Sequence, residues 1–131
     1  MKLLGIDYGS KRVGIAVADT EANIAFPKGV FPNDKFLFGE IKKLCEGYGT
    51  EKIILGESKD FKGKDNKIME DIRMFKKMLE SDLKIEVVYE PEYMTSTEAL
   101  HLQEDTKMLD ASAAAIILQS YLEKSKNKNG K

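Results

Sequence analysis

The first part of the chain shows a period of two in its hydrophobic pattern. Residues 2–7 are mostly apolar and end at Asp7, and in residues 13–18 branched side chains alternate with Gly or Ala. This period is typical of β-strands, and the small face of the second strand would allow a helix to approach closely. Gly9 and Ser10 predict a tight turn between the two strands. A third strand is predicted over residues 23–30, at a sheet edge or with a bulge, because it contains Pro27.

From residue 35 onward, helical periods alternate with short apolar runs. Apolar residues recur at spacings of three and four over residues 37–48 and 68–79, which predicts two amphipathic helices. The run at residues 52–56 predicts a buried parallel strand, and the run at residues 85–89 predicts the next strand. Residues 57–66 are polar and lysine-rich, and they predict a loop.

The last third of the chain is predicted to be helical. A capping box at residues 95–98 predicts a short helix that ends near Gln103. A final helix is predicted over residues 110–122, and residues 124–131 predict a disordered, lysine-rich tail. The order of elements predicts an α/β fold in which three antiparallel strands and two parallel additions form a five-stranded mixed sheet, with helices on both faces. Residues 1–123 are expected to form a single domain.

Composition narrows the class of protein. Of 131 residues, 42% are hydrophobic and 33% are charged, and the chain has one cysteine, Cys45, and one histidine, His101. Such a chain offers no apolar stretch of about 20 residues for a membrane span and no His/Cys set for zinc. A lone cysteine favours a reducing compartment, and a cytoplasmic protein is expected. The net charge of −1 means that any nucleic-acid contact must come from local basic patches.

Acidic residues near predicted element ends are candidate metal ligands. Asp7 ends the first strand, Glu90 and Glu92 flank Pro91 after the last strand, and Asp110 begins the final helix. Each also has an ordinary structural explanation, as a turn residue, a solvated loop carboxylate or a helix N-cap. The carboxyl ends of strands are where α/β sheets build sites. Carboxylates gathered there would suit two Mg²⁺ or Mn²⁺ ions, which can promote hydrolysis of a phosphodiester.

Four blocks of the sequence resemble one known family. Residues 4–19, LGIDYGSKRVGIAVAD, closely resemble the opening motif of the YqgF family, described as Holliday junction resolvases or pre-16S rRNA nucleases. Residues 53–56, 92–96 and 110–122 resemble the later blocks of that family in the same order. The resemblance spans nearly the whole chain.

The resemblance implies a function, a site and partners. It implies an RNase H-like fold and a two-metal site for Mg²⁺ or Mn²⁺ formed by Asp7, Glu92 and Asp110, with Glu90 as the reserve for Glu92. It implies a metal-dependent nuclease that processes the 5′ end of pre-16S rRNA, with structured RNA, branched DNA or the ribosome precursor as partner and no membrane. A monomer or weak dimer is expected. The basic residues that could contact phosphates are Lys11, Arg12, Lys59, Lys62 and Lys64.

Departures from the family pattern keep other functions open. Glu57 and Ser58 stand where the family has Leu-Pro, Tyr93 stands at its Arg, and residues 103–109 are less basic than usual. These changes favour a non-catalytic nucleic-acid-binding module as a second hypothesis, beside a resolvase-like activity on branched DNA. A third hypothesis takes Asp7–Ser10 as the phosphate loop of an actin-like ATPase, although such enzymes need two domains of this kind.

Overall fold

The computed structural model describes residues 1–59, 68–93 and 106–129. These residues form five strands and three helices. In chain order they are β1 (Lys2–Tyr8), β2 (Arg12–Asp19), β3 (Ile24–Pro32), α1 (Leu37–Tyr48), β4 (Lys52–Lys59), α2 (Ile68–Leu83), β5 (Glu86–Tyr93) and α3 (Thr106–Asn129).

One mixed sheet organises the molecule, with strand order β3-β2-β1-β4-β5. The pairs β1–β2 and β2–β3 are antiparallel, whereas β1–β4 and β4–β5 are parallel. Strand β1 occupies the centre because it is apolar on both faces, and Leu3, Leu4 and Ile6 are fully buried. The predicted α/β fold with three antiparallel strands and two parallel additions is confirmed.

The two faces of the sheet carry different cores. On the first face, which we call the α1–α2 face, Ile41 of α1 and Ile72 of α2 join a cluster with Ile6 and Ile15 of the sheet. On the opposite face, which we call the α3 face, the cluster includes Leu3 and Leu118 together with several alanines of β2 and α3. The small side chains predicted for one face of β2 therefore lie under α3.

Gly5 shows how closely α3 approaches the sheet. A Cβ atom added at Gly5 would lie 2.9 Å from the Cβ of Leu118 and 3.2 Å from the carbonyl oxygen of Ala114. Glycine is needed here because any side chain would push the helix away. The α3 helix is thus fixed in height and position above the central strand.

Strand β3 lies at the sheet edge and contains a bulge, as Pro27 predicts. Ala16 pairs with Pro27 and Ile15 pairs with Gly29, so Lys28 is the extra residue on the bulged strand. The strand begins and ends one to two residues later than predicted, at Ile24 and Pro32.

Strands β4 and β5 are longer than the sequence predicts. The loop predicted from residue 57 is wrong for Glu57–Lys59, which pair with Pro91–Tyr93 of β5. Glu90 and Glu92 therefore lie inside a strand rather than after it. Pro91 is tolerated because β5 is an edge strand. On such a strand, proline can stand where the N–H group would face solvent, so no hydrogen bond between strands is lost.

Helix α3 extends beyond its predicted range at both ends. It begins at Thr106, so Asp110 is not an N-cap and lies past the first turn. It also includes residues 124–129, where a disordered tail is predicted, because Glu and Lys are good helix formers and Lys124 contacts the sheet. The capping box at residues 95–98, the helix to Gln103 and His101 lie outside the described residues. No helix in the described ranges is long and apolar enough to span a membrane.

Candidate functional site

Asp7 lies near the carboxyl end of the central strand. It is half-buried and pairs with Gly14 of β2. Positions two apart on a strand share a face, so Asp7 lies on the same α3 face as Gly5. It thus occupies the sheet end at which α/β folds place functional groups, as predicted.

Helix α3 runs antiparallel to β1 and carries residue 110 toward Asp7. At the level of Leu3 and its partner Lys52, the helix is at Tyr121, which accepts a hydrogen bond from Lys52 at 3.2 Å. At the level of Gly5, the helix is at Ala114 and Leu118. The four residues from Ala114 back to residue 110 advance about 6 Å along the helix, close to the rise of about 6.6 Å from Gly5 to residue 7.

Glu90 forms a buried brace between β5 and α3. Its side chain is 4% exposed, and its Oε2 atom accepts hydrogen bonds from the hydroxyl of Ser120 at 2.8 Å and from the ammonium group of Lys124 at 2.7 Å. Ser120 and Lys124 are one helical turn apart on α3. The carboxylate is therefore already satisfied by a hydroxyl and a cation, which explains how a charged group can be buried here.

Ile117 separates Glu90 from Asp7. On β4, Leu55 pairs with Ile6 of β1, and the next residue, Gly56, pairs with Glu90 of β5. Gly56 therefore lies between Asp7 and Glu90 across the sheet. A Cβ atom added at Gly56 would lie 2.8 Å from Cδ1 of Ile117. An apolar side chain thus fills the space between Asp7 and Glu90.

Residue 92 lies one strand period beyond Glu90, nearer the carboxyl end of β5. It pairs with Ser58 of β4. The side chains of Glu92 and Asp110 are outside the described part of the structure. Among the described side chains, no group of three or more His, Cys, Asp or Glu residues lies close enough to hold a metal ion.

The β1–β2 turn brings two basic residues to the same sheet end as Asp7. Lys11 in the turn and Arg12 at the start of β2 are both exposed. Gly9 is required in this turn because a Cβ atom there would lie 2.5 Å from the carbonyl oxygen of Arg12. The side-chain amide of Asn33 donates a hydrogen bond to the carbonyl oxygen of Gly9 at 2.8 Å and anchors the turn.

The other residues singled out in the sequence are one cysteine and three lysines. Cys45 is buried in the core as expected, and burial raises the pKa of its thiol, which keeps it protonated. Lys59 ends β4 at the Asp7 end of the sheet, and nothing is described of its side chain. Lys62 and Lys64 lie outside the described residues.

Sequence reasoning missed the residues that hold α3 on the sheet. The side-chain oxygen of Gln119 accepts a hydrogen bond from the Ala25 N–H at 2.9 Å, and its amide nitrogen donates to the carbonyl oxygen of Asn23 at 3.3 Å. With Ser120 and Lys124 on Glu90, α3 is tied to both edge strands. A helix of mixed polarity gives no periodic signal for such contacts.

The fold defines the class, an α/β protein with a mixed five-stranded sheet and Asp7 near the carboxyl end of its central strand. The family model described as "RuvX: Holliday junction resolvase" matches residues 1–124. The chain therefore belongs to this family, and the predicted resemblance is confirmed.

Two relatives cover nearly the whole chain. A protein of Caldanaerobacter subterraneus subsp. tengcongensis is 31% identical over 97% of this chain and 99% of its own length. A protein of Lactobacillus gasseri is 34% identical over 94% of this chain and 96% of its own. Both are named "Putative pre-16S rRNA nuclease".

Solved structures share the architecture at low sequence identity. Thermus thermophilus RuvC in complex with a Holliday junction substrate matches with a TM-score of 0.60 at 15% identity, over 95% of both chains. The fowlpox virus resolvase bound to Holliday junction DNA matches with a TM-score of 0.61 at 16% identity, over 95% of this chain and 98% of that one. These matches confirm the predicted RNase H-like fold.

Proposed function

We propose that the protein is a metal-dependent nuclease that hydrolyses phosphodiester bonds in structured RNA, with the 5′ region of pre-16S rRNA as its substrate in ribosome biogenesis. The observation that carries the proposal is Asp7 at the carboxyl end of the central strand, on the face toward which α3 carries residue 110. The names of the relatives support the choice of substrate. A buried, lone thiol at Cys45 is compatible with a cytoplasmic setting.

The proposed site is formed by Asp7, Glu92 and Asp110. Its all-oxygen donor set suits Mg²⁺ or Mn²⁺. When bound, such ions neutralise charge at the phosphate and activate the attacking water. Asp7 serves as the central ligand because it lies on β1, the central strand of the sheet. Glu92 is preferred to Glu90 because the Glu90 carboxylate already accepts two hydrogen bonds from α3.

Basic residues around this sheet end would bind the substrate backbone. Lys11 and Arg12 are exposed in the β1–β2 turn beside Asp7, and Lys59, Lys62 and Lys64 follow from the end of β4. Such a local rim compensates for a net charge of −1. Since family membership is established, the actin-like ATPase hypothesis is dropped.

A cleavage assay tests the function and the choice of glutamate together. Wild type, Glu92→Gln and Glu90→Gln are incubated with a 16S rRNA precursor and with a four-way DNA junction, in Mn²⁺ and in EDTA. We expect Mn²⁺-dependent cutting of the precursor, a loss of at least about 100-fold for Glu92→Gln, and a rate within about tenfold of wild type for Glu90→Gln. Cutting of the junction alone would assign the resolvase activity instead.

The free energy of unfolding is a second measurement that distinguishes Glu90 from Glu92. Glu90→Gln should lower the free energy of unfolding by about 1–2 kcal/mol, because a buried charge-assisted contact is lost while exposed Lys124 regains water. Glu92→Gln should leave it nearly unchanged. Binding of RNA without cutting of either substrate would support the non-catalytic module, and loss of activity in Glu90→Gln alone would make Glu90 the ligand.

A further inference from the structure

A pocket with a volume of about 240 Å³ opens on the α1–α2 face, between α1 and the edge strand β3. It lies on the opposite side of the sheet from Asp7. Its lining residues are Val17, Lys28, Lys43, Leu44, Gly47 and Tyr48. The pocket is smaller than the roughly 300–1,000 Å³ of typical small-molecule sites.

The β-bulge of β3 turns a cation into this pocket. Lys28 is the residue without a partner in the register, between Pro27 and Gly29. Bulges commonly re-aim a side chain in this way. Lys28 is exposed on the strand and lines the pocket together with Lys43 of α1. Two lysines from distant parts of the sequence therefore converge on one small cavity.

One aromatic residue lines this cavity, and a second lies on β3 opposite one of the lining residues. Phe26 pairs with the pocket residue Val17 of β2 and is 55% exposed. Tyr48 lines the pocket, and the ammonium group of Lys2 lies 5.2 Å from the centre of its ring. Phe26 is thus an exposed aromatic residue two positions from Lys28 on the same strand.

The charge at the pocket is positive and available. Within the described ranges, neither Lys28 nor Lys43 forms an ion pair. Asp19, whose charge acts on Tyr48, is itself 3.7 Å from the N-terminal ammonium group. Among the described residues, the two lysines are therefore not held in ion pairs, although the chain as a whole is slightly acidic.

We propose that this β3-edge patch, formed by Phe26, Lys28, Lys43 and Tyr48, binds a single-stranded segment of nucleic acid. A base would stack on Phe26 while Lys28 and Lys43 contact phosphates, the combination by which single strands are bound without sequence preference. The choice of ligand rests on the proposed function. An RNA strand that passes round the β3 edge would contact both faces of the sheet. The patch on the α1–α2 face would then hold a single-stranded flank of the RNA whose cleavage site is at Asp7 on the α3 face.

Binding in EDTA tests the patch without any cleavage. Fluorescence anisotropy is measured with a labelled oligouridylate and its deoxy counterpart as probes. Lys28→Ala/Lys43→Ala is compared with Lys77→Ala/Lys84→Ala, which removes the same charge from exposed positions elsewhere. For single strands, each lysine–phosphate contact contributes about 0.7 to the slope of log K against log salt concentration. The Lys28→Ala/Lys43→Ala variant should therefore reduce this slope by about 1.4 and weaken binding roughly 25-fold at 0.1 M salt. The control pair should change binding less than about twofold.

Phe26→Ala gives an independent result. Loss of one stacked base should weaken binding roughly five- to 150-fold with little change in the salt slope. Equal binding by the patch and control variants would overturn the proposal, even if the wild type cuts RNA. Conversely, patch-dependent binding by a protein that cuts nothing would sustain this inference and refute the proposed nuclease. Self-association that Phe26→Ala abolishes, without nucleic-acid binding, would assign the patch to a second copy of the chain.

Discussion

Asp7→Asn is expected to lower the cleavage rate on the order of a thousandfold, which corresponds to about 4 kcal/mol of transition-state stabilisation. Asparagine keeps the shape of the side chain but removes the negative charge that a divalent cation requires. Because Asp7 is only half-buried, the fold should tolerate the change. The measurement is the single-turnover rate in Mn²⁺ on the precursor RNA, with the melting temperature recorded for each protein.

Asp19→Asn is the matched control for this variant. Asp19 is also a half-buried strand residue, but it ends β2 at the other end of the sheet, where Lys2 pairs with it. Its carboxylate lies 3.7 Å from the N-terminal ammonium group and accepts the Glu21 N–H at 3.0 Å. The control should cut at close to the wild-type rate. A wild-type rate in Asp7→Asn, or an equal loss in both variants, would refute the proposed site.

Leu118→Ala should destabilise the protein by about 2–5 kcal/mol. Leu118 is fully buried, and its Cβ lies where any side chain at Gly5 would have to go. Truncation leaves a cavity between α3 and the central strand, and neither side can close it because the helix is tied to both edge strands. Urea unfolding followed by circular dichroism gives the change in free energy.

Ile116→Ala provides the comparison within the same helix. Ile116 is 65% exposed, so its truncation should change stability by less than about 0.5 kcal/mol. Since α3 carries Asp110, activity in Leu118→Ala should also fall at temperatures where Ile116→Ala remains active. Similar stabilities of the two variants would mean that α3 does not pack on the sheet as described.

The sheet could be predicted because its signals are local. The period of two marks β1 and β2, the small residues Gly14, Ala16 and Ala18 mark the face that α3 covers, and Pro27 marks the bulged edge strand. The extent of β5 beyond Pro91 could not be predicted, because tolerance of proline depends on whether a strand lies at the sheet edge. The extension of α3 past residue 122 was also missed, because Lys124 contacts Glu90, a residue distant in sequence.

The candidate site was only partly accessible from the sequence. Asp7 could be assigned to a sheet end because it closes an apolar strand. Glu90 and Glu92 could not be separated, because both flank Pro91 in the sequence and the contacts of Glu90 come from α3. Ser120, which identifies Glu90 as a brace, is 30 residues away along the chain. Only the packing of the helix reveals that contact.

The most direct test is a crystal structure of the wild type grown with Mn²⁺, analysed by anomalous difference density. The proposal requires anomalous peaks in contact with the carboxylate of Asp7, with Glu92 and Asp110 as further ligands and Glu90 still bound to Ser120 and Lys124. Density without a peak at Asp7, or with Glu90 as the ligand in place of Glu92, would contradict it.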